Sequence, residues 1–279
     1  MICFPNCKIN LGLYVTNKRN DGYHDLETVF FPLSAVAAGN AYLSFRDVLE
    51  IIPAGEPGIH LSGLGVAGNA QDNLVWKAYQ LLLSEFPGMI PALDIFLHKV
   101  IPMGAGLGGG SADGAFMLRL LNDQFRLGLS QEQLAGYALR LGSDCPFFIY
   151  NIPALATGRG EVLTPLSLNL SSCNIQLVCP AVHVSTASAF CLLKARPASF
   201  DLRLLDTLPL AEWKERLSND FETTVFRIHP VLARIKQQLY AQGAIYASMS
   251  GTGSAIYGIF PKGGRAVVEA DVPFSEYYL

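Results

Sequence analysis

The sequence predicts an α+β protein in two domains, and three observations carry that prediction. Strand-type and helix-type segments come in blocks (β, then helix and helix, then β) rather than in regular alternation. Apolar spacing changes from every second residue to the helical three-four pattern and back along the chain. Two long uncharged runs that raise the question of a membrane span are interrupted too often to be one.

The first element is a strand. Ile9, Leu11, Leu13 and Val15 fall on one face and Lys8, Asn10, Gly12 and Tyr14 on the other, so Lys8 and Asn10 point the same way. The Asn-Asp-Gly turn signal inside TNKRNDGYHD predicts a hairpin or loop, and β-type sequence continues through Phe45 and Leu49 to Ile52. Asp72 is placed to cap a helix, DNLVWKAYQLLLSEF, with Leu74, Ala78, Leu81 and Leu82 on its inner face and Pro87-Gly88 at its end. A strand, LDIFLHKV, precedes a glycine-rich segment. Two helices follow, AFMLRLLNDQF and QEQLAGYALRLG, the second closed by Gly142. LGSDCPFFIY then turns and re-enters apolar structure. The second half reads as a β run NIQLVCPAVHVST, a helical segment over 188–194, an amphipathic helix around HPVLARIKQQLYAQG and a strand pair around YASMSGTGSAIYGIF. The change of pattern puts the domain boundary near residue 155, giving domains 1–155 and 156–279.

Composition narrows the function. Of 279 residues, 20 are Lys or Arg and 23 Asp or Glu, a net charge of −3. The charged fraction is 15%, against about 25% in an average soluble domain, and mean hydropathy is +0.30. The 32 residues between Glu161 and Lys194 carry no charge, but proline, asparagine and serine break them; glycines break the run 237–261. No Lys/Arg cluster offers a footprint for nucleic acid or an anionic membrane surface. The N-terminus lacks a basic segment followed by an apolar one, so a cytoplasmic location is expected. Cys3, Cys7, Cys145, Cys173, Cys179 and Cys191 show no C-x-x-C or zinc spacing and read as reduced, mostly buried thiols.

The strongest local feature is PMGAGLGGGSAD, residues 102 to 113. Gly104, Gly106, Gly108, Gly109 and Gly110 precede Ser111 and a helix, so backbone N–H groups can converge on an anion where the helix dipole also favours negative charge. Phosphate is the natural ligand. The segment satisfies G-x-G-x-x-G literally, but no βαβ unit surrounds it. It lacks the Gly-Lys-Ser/Thr ending of Walker A, and the protein-kinase signatures are absent.

PMGAGLGGGSADGA resembles the central glycine motif of the GHMP kinases, the galactokinase, homoserine, mevalonate and phosphomevalonate kinase superfamily. PNCKINLGLYV with RNDGYHDLETVF, and the C-terminal SMSGTGSAIYGIF, resemble its first and third motifs in order and spacing. The resemblance runs from residue 3 to about 260. It implies a two-domain GHMP kinase fold, with an N-terminal domain like ribosomal protein S5 domain 2 and a ferredoxin-like C-terminal domain. The nearest members phosphorylate, with ATP and Mg²⁺, the 2-hydroxyl of a cytidyl-diphospho-methylerythritol in non-mevalonate isoprenoid synthesis.

The resemblance also assigns residues. Lys8 in the first strand and Asp144 in LGSDCPFF match the family's catalytic pair, with Asp144 as general base and Lys8 as its electrostatic partner. Read alone, Asp144 would be a helix cap and Lys8 a solvated edge-strand lysine; the motif context reverses both readings. Asn10 would hold that pair or the substrate. ATP would lie over Pro102, Met103, Gly104, Ala105, Gly106, Leu107, Gly108, Gly109, Gly110, Ser111 and Ala112, with Ser111 near the β- and γ-phosphates and Asn73 beside the adenine. Tyr23 and Phe190 would stack on the cytosine while His24 reads its edge, and Thr186 would make a polar contact to the substrate. Two departures stand out: the loop reads GSADGA where many relatives have GSSNAA, so Ala112 lacks a hydroxyl and Asp113 adds a charge, placed here toward the methylerythritol hydroxyls. Cys7 and Cys145 flank Lys8 and Asp144, so bulky alkylation there is expected to impair activity. No Asp or Glu is tied to Mg²⁺ by sequence. The expected partner is a small molecule, with neither nucleic acid nor membrane, and the expected state is monomer or homodimer. The alternatives are another GHMP small-alcohol kinase, of homoserine or mevalonate type, or a non-catalytic nucleotide-binding sensor of the same fold; an RNA-binding module fits the charge poorly.

Overall fold

The computed structural model describes residues 1–33, 45–65, 69–191 and 193–279. The expected β-type stretch over 34–44 and residue 192 of the expected helix over 188–194 lie outside the described residues. Contacts divide the chain into two compact units: Met1–Cys7, Leu43–Met103 and Gly108–Asn151 form one, and Lys8–Tyr42, Gly104–Leu107 and Ile152–Leu279 the other. Elements are numbered in chain order across both.

The first unit holds strands β1 (Ile2–Cys3), β4 (Val48–Pro53), β5 (Gly58–Gly63) and β6 (Leu93–Lys99), and helices α1 (Leu74–Glu85), α2 (Gly109–Phe125), α3 (Gln131–Leu141) and α4 (Cys145–Tyr150). Its sheet runs β1-β4-β6-β5, with only the β5–β6 pair parallel. In β6, Leu93, Ile95, Leu97 and Lys99 are buried on one face, the period-2 pattern of a half-covered strand, with a lysine where an apolar residue would continue it. Along α1 the buried residues are Val75, Ala78, Tyr79 and Leu82, spaced i, i+3, i+4, i+7. The inner face is thus one residue out from that expected, with Leu74 and Leu81 half-buried. The cap moves with it. Asn73 Oδ1 accepts from Val75 N at 2.9 Å, and Asp72 ends a short 3-10 turn. Helix α2 begins at Gly109, inside the glycine segment, rather than after it. α3 is closed as expected by Gly142 and opened by a Ser130–Gln133 capping box. LGSDCPFFIY proves to contain a helix, α4, with Pro146 in its first turn.

The second unit holds two antiparallel sheets. β2 (Lys8–Lys18), β3 (His24–Pro32), β7 (Ala154–Thr157) and β8 (Val162–Pro165) run in that order; β2 and β3 form the expected hairpin, with register shifts between Leu11 and Leu13 and between Val15 and Asn17. β9 (Cys173–Pro180), β10 (Tyr246–Met249), β11 (Ile256–Pro261) and β12 (Phe274–Tyr278) run β10-β11-β9-β12. Helices α5 (Thr186–Cys191), α6 (Trp213–Arg216), α7 (Phe221–Ile228) and α8 (Pro230–Ala241) complete the unit. Its core joins Leu13 and Val15 of β2 to Val225 of α7, Leu232, Ile235 and Leu239 of α8, and Met249 and Ile256 of the second sheet. Among the described residues no helix is long and apolar enough to cross a membrane.

Candidate active site

In the second unit, Lys8 opens β2 with its residue only 3% exposed. Its Nζ donates to Asn10 Oδ1 at 2.7 Å and to Gly106 O at 3.1 Å, and lies 4.7 Å from the centre of the Phe30 ring. The expected same-face placement of Lys8 and Asn10 is therefore realised as a direct bond. Asn10 Nδ2 donates to Thr28 Oγ1, whose hydroxyl donates to Gly12 O; Tyr257 donates to Asn10 O at 2.6 Å. Ser250 Oγ donates to Gly106 O at 2.8 Å and to Asn10 Oδ1 at 3.3 Å, which ties the serine-glycine turn after β10 to the same cluster. Gly106 sits at φ 78°, and a Cβ there would fall 1.9 Å from Ser250 O. Only glycine fits this close approach.

The residues that fix this cluster were not singled out in the sequence. Asn219 Nδ2 donates to Met249 O and Gly251 O, both at 2.8 Å, while its Oδ1 accepts from Phe221 N. Asp220 accepts from Val15 N and from Arg196, and Glu222 accepts from Ser248 Oγ and Met249 N. SNDFE reads locally as a helix start; its longer task is to join β2 to the 250–254 turn.

In the first unit, β6 leads into the loop and α2 leaves it. Gly108 caps α2 at φ 71°, and the first intrahelical bond is Ala112 N to Gly108 O at 2.9 Å. The amides of Gly109, Gly110 and Ser111 therefore lie ahead of the helix's own ladder, at its positive end. Ala112 is corrected: its amide is committed and its side chain fully buried, so the amides able to receive phosphate end at Ser111. Asp113 is corrected as well. Its residue is 2% exposed, and Oδ2 accepts from Lys99 Nζ at 2.6 Å. Burial, opposed by Lys99 and aided by the like charge of Asp47, pushes its carboxyl up to about 8. A side chain so enclosed does not face a soluble alcohol. Asp144 occupies the N-cap position of α4, half-buried, and its side chain makes no cap hydrogen bond. Asn73, expected beside adenine, uses its Oδ1 to cap α1.

Cys7 and Cys145 are buried, and burial pushes the Cys145 thiol up to about 12. Both thiols are therefore shielded from alkylating reagents in the folded protein. Cys3, Cys7, Cys145, Cys173 and Cys179 form no disulfide, in line with the reduced state expected; the side chain of Cys191 lies outside the described residues.

Two of the expected base-binding residues, His24 and Phe190, meet in the second unit. His24 stacks on Phe190, with centroids 4.8 Å apart and planes at 25°, and Phe221 meets Phe190 edge-on. Tyr23, 57% exposed in the β2–β3 turn, lies under Arg159 at 5.0 Å. His24 thus covers one face of the Phe190 ring, because the first residue of β3 is brought against α5. Thr186 Oγ1 lies 3.4 Å from Thr252 Oγ1 in the glycine-rich turn. The described residues contain no cluster of three or more His, Cys, Asp or Glu that could hold a metal ion, so they supply no protein cage for Mg²⁺.

Residues 73–151 match the GHMP kinases N terminal domain and residues 202–274 the GHMP kinases C terminal domain. A 4-diphosphocytidyl-2-C-methyl-D-erythritol kinase of Bacteroides thetaiotaomicron is 48% identical over 268 residues, covering 95% of this chain and 93% of that protein. A protein of the same name from Cytophaga hutchinsonii is 44% identical, covering 93% and 92%. A crystal structure of 4-(cytidine 5'-diphospho)-2C-methyl-D-erythritol kinase superposes with a TM-score of 0.75 at 32% identity, covering 93% of this chain and 90% of that one. A homoserine kinase from Cytophaga hutchinsonii, 16% identical, shares the fold at a TM-score of 0.69 over 99% and 93% of the two chains. The expected two-domain α+β architecture is that of these neighbours. The chain belongs to the GHMP kinases, and within them to the 4-diphosphocytidyl-2-C-methyl-D-erythritol kinases.

Proposed function

We propose that this protein transfers the γ-phosphoryl group of ATP to the 2-hydroxyl of 4-diphosphocytidyl-2-C-methyl-D-erythritol, a step of the methylerythritol phosphate route to isoprenoid precursors. The observation that carries the reading is the likeness to kinases of that name over more than nine-tenths of both chains. The geometry supports it independently at the glycine loop, where the amides of Gly109, Gly110 and Ser111 precede the α2 ladder and suit an anion.

Phosphoryl transfer has a loose transition state, so the protein's work is to align the acceptor, take its proton and stabilise charge on the transferred group. Asp144 takes the proton of the attacking hydroxyl. Lys8, fixed by Asn10 and Gly106 O, sets a positive charge against the middle of the glycine loop and stabilises the developing anion. Bound with the nucleotide, Mg²⁺ would supply charge neutralisation on its phosphates; the described residues offer no carboxylate cluster to hold it by themselves. The exposed Tyr23 and the His24–Phe190 pair form the cytidine end, with Thr186 as a polar contact. The setting is the cytoplasm.

ADP release measured against a panel of the cytidyl-linked alcohol, homoserine and mevalonate tests this. Turnover with the first alone is expected. Preference for homoserine or mevalonate would overturn the substrate, and nucleotide binding without turnover of any alcohol would overturn the enzyme.

A further inference from the structure

A buried ion cluster in the first unit has no task in the mechanism above. Lys99, the last residue of β6, is about as deeply buried as the core around it, with its side chain 1% exposed. Its Nζ donates to Asp47 Oδ2 and to Asp113 Oδ2. Asp47 Oδ1 in turn accepts from Val100 N at 2.6 Å and Ile101 N at 2.9 Å, the two residues on which the chain leaves β6 for the glycine loop. Asp113 stands in the second turn of α2, on which the chain leaves that loop. A Cβ on Gly109 would come within 2.9 Å of Ile101 Cγ2 and 3.4 Å of Lys99 Nζ, so the helix start is packed directly against the cluster.

Three ionisable side chains are thus spent on the same two pieces of backbone. Replacing such a cluster with apolar residues would often be neutral or stabilising, so stability alone does not account for it. What the cluster does uniquely is join the entry and the exit of the loop. We propose that Lys99, Asp47 and Asp113 are positioning residues that hold the two ends of the glycine loop at the separation its amides need to receive the nucleotide phosphates. The inference rests on the reading of that loop as the ATP phosphate site.

Charge sharpens it. One ammonium faces two carboxylates, and Asp113 Oδ1 is buried with no hydrogen-bond partner among the described residues. The groups facing Asp113 are Lys99 from β6, Asp47 from the segment before β4 and Cys3 from β1, with Arg119 farther along α2 acting on Cys3. Burial keeps Cys3 a neutral thiol, pushed up to about 12. Burial would also lower Lys99, but the two carboxylates more than offset this, so it stays charged. With Asp113 protonated the cluster is neutral. With Asp113 ionised it carries one net negative charge beneath a loop that must accept anions.

The test is ADP binding by titration calorimetry, from about pH 7.5, where the terminal phosphate is already ionised, to about pH 9. The unaltered protein, Lys99→Met, Lys99→Arg and Asp113→Asn are compared, with circular dichroism as the check on folding. Lys99→Met is expected to lose about tenfold or more in ADP affinity, and Lys99→Arg to recover part of it. The unaltered protein should bind ADP more weakly as pH rises, and Asp113→Asn should flatten that slope, which a purely structural role would not do. Should Lys99→Met fail to fold, the slope in Asp113→Asn decides. Unaltered affinity in folded Lys99→Met, or an Asp113→Asn slope like that of the unaltered protein, would overturn the clamp. Failure of the unaltered protein to bind ADP at all would instead overturn the phosphate-site reading.

Discussion

Two helix starts in the first unit each carry an aspartate expected at the site, Asp144 from the motif resemblance and Asp113 as a departure from it, and their surroundings differ. Asp113, in the second turn of α2, is enclosed, hydrogen-bonded by Lys99 and pushed up toward neutrality. Asp144, at the N-cap position of α4, is half-buried and spends nothing on capping. Residue type and nearness to a motif do not separate these two; burial does. A carboxyl that works on a soluble alcohol must be reached by it, and one that works on backbone geometry must be shielded from water, where its hydrogen bond to Lys99 is strong.

The largest effect that would break this contrast is at Asp144. Asp144→Asn keeps the shape of the side chain and removes the base, so kcat should fall by about 10³-fold or more. Circular dichroism should show the fold retained, because asparagine keeps the size and shape of the side chain. Unaltered kcat would remove Asp144 from the chemistry.

Next in size is the protection of Cys145, one residue away. A fully buried thiol pushed up to about 12 should react with iodoacetamide at least about 100-fold more slowly than the same cysteine in urea, as read by mass spectrometry. Fast labelling in the folded state would mean that the start of α4 opens far more readily than its packing implies.

A smaller effect sharpens the contrast at Asp113. In the unfolded chain its carboxyl titrates near 3.9, and in the folded protein near 8. The folded state therefore keeps a proton over that window which the unfolded state has lost. Its contribution to stability is present below about pH 4 and is lost as pH rises toward about 8. Asp113→Asn does not titrate. Its melting temperature should lie near that of the unaltered protein at about pH 5 and exceed it at about pH 8.5. A constant difference across that range would show that Asp113 is ionised throughout.

These contrasts mark what the sequence could and could not disclose. Alternation fixed β2 and the face shared by Lys8 and Asn10, and the glycine run located the loop, because both signals are local. The same run hid the start of α2: glycine has low helix propensity, yet packing of Gly109 against Ile101 admits no side chain there. Asp113 reads as facing the methylerythritol hydroxyls because its partners, Lys99 and Asp47, lie 14 and 66 residues before it. Asn219 was overlooked for the same reason: its bonds to Met249 and Gly251 exist only once β10 is laid down. Long-range polar contacts leave no periodic trace in a single sequence.

The smallest effect concerns Asn73, where a cap and an adenine contact compete as readings. Its Oδ1 receives Val75 N, one of the amides at the start of α1 that the helix cannot satisfy itself. Asn73→Ala should cost about 1 kcal/mol in urea unfolding, and Asn73→Ser, which can accept the same bond, should restore most of it. The serine variant separates the two roles, because it keeps the cap while removing the carboxamide. Weaker ADP binding in Asn73→Ser at parental stability would assign the carboxamide to the nucleotide; loss of stability shared by both variants would mean that the cap needs asparagine itself.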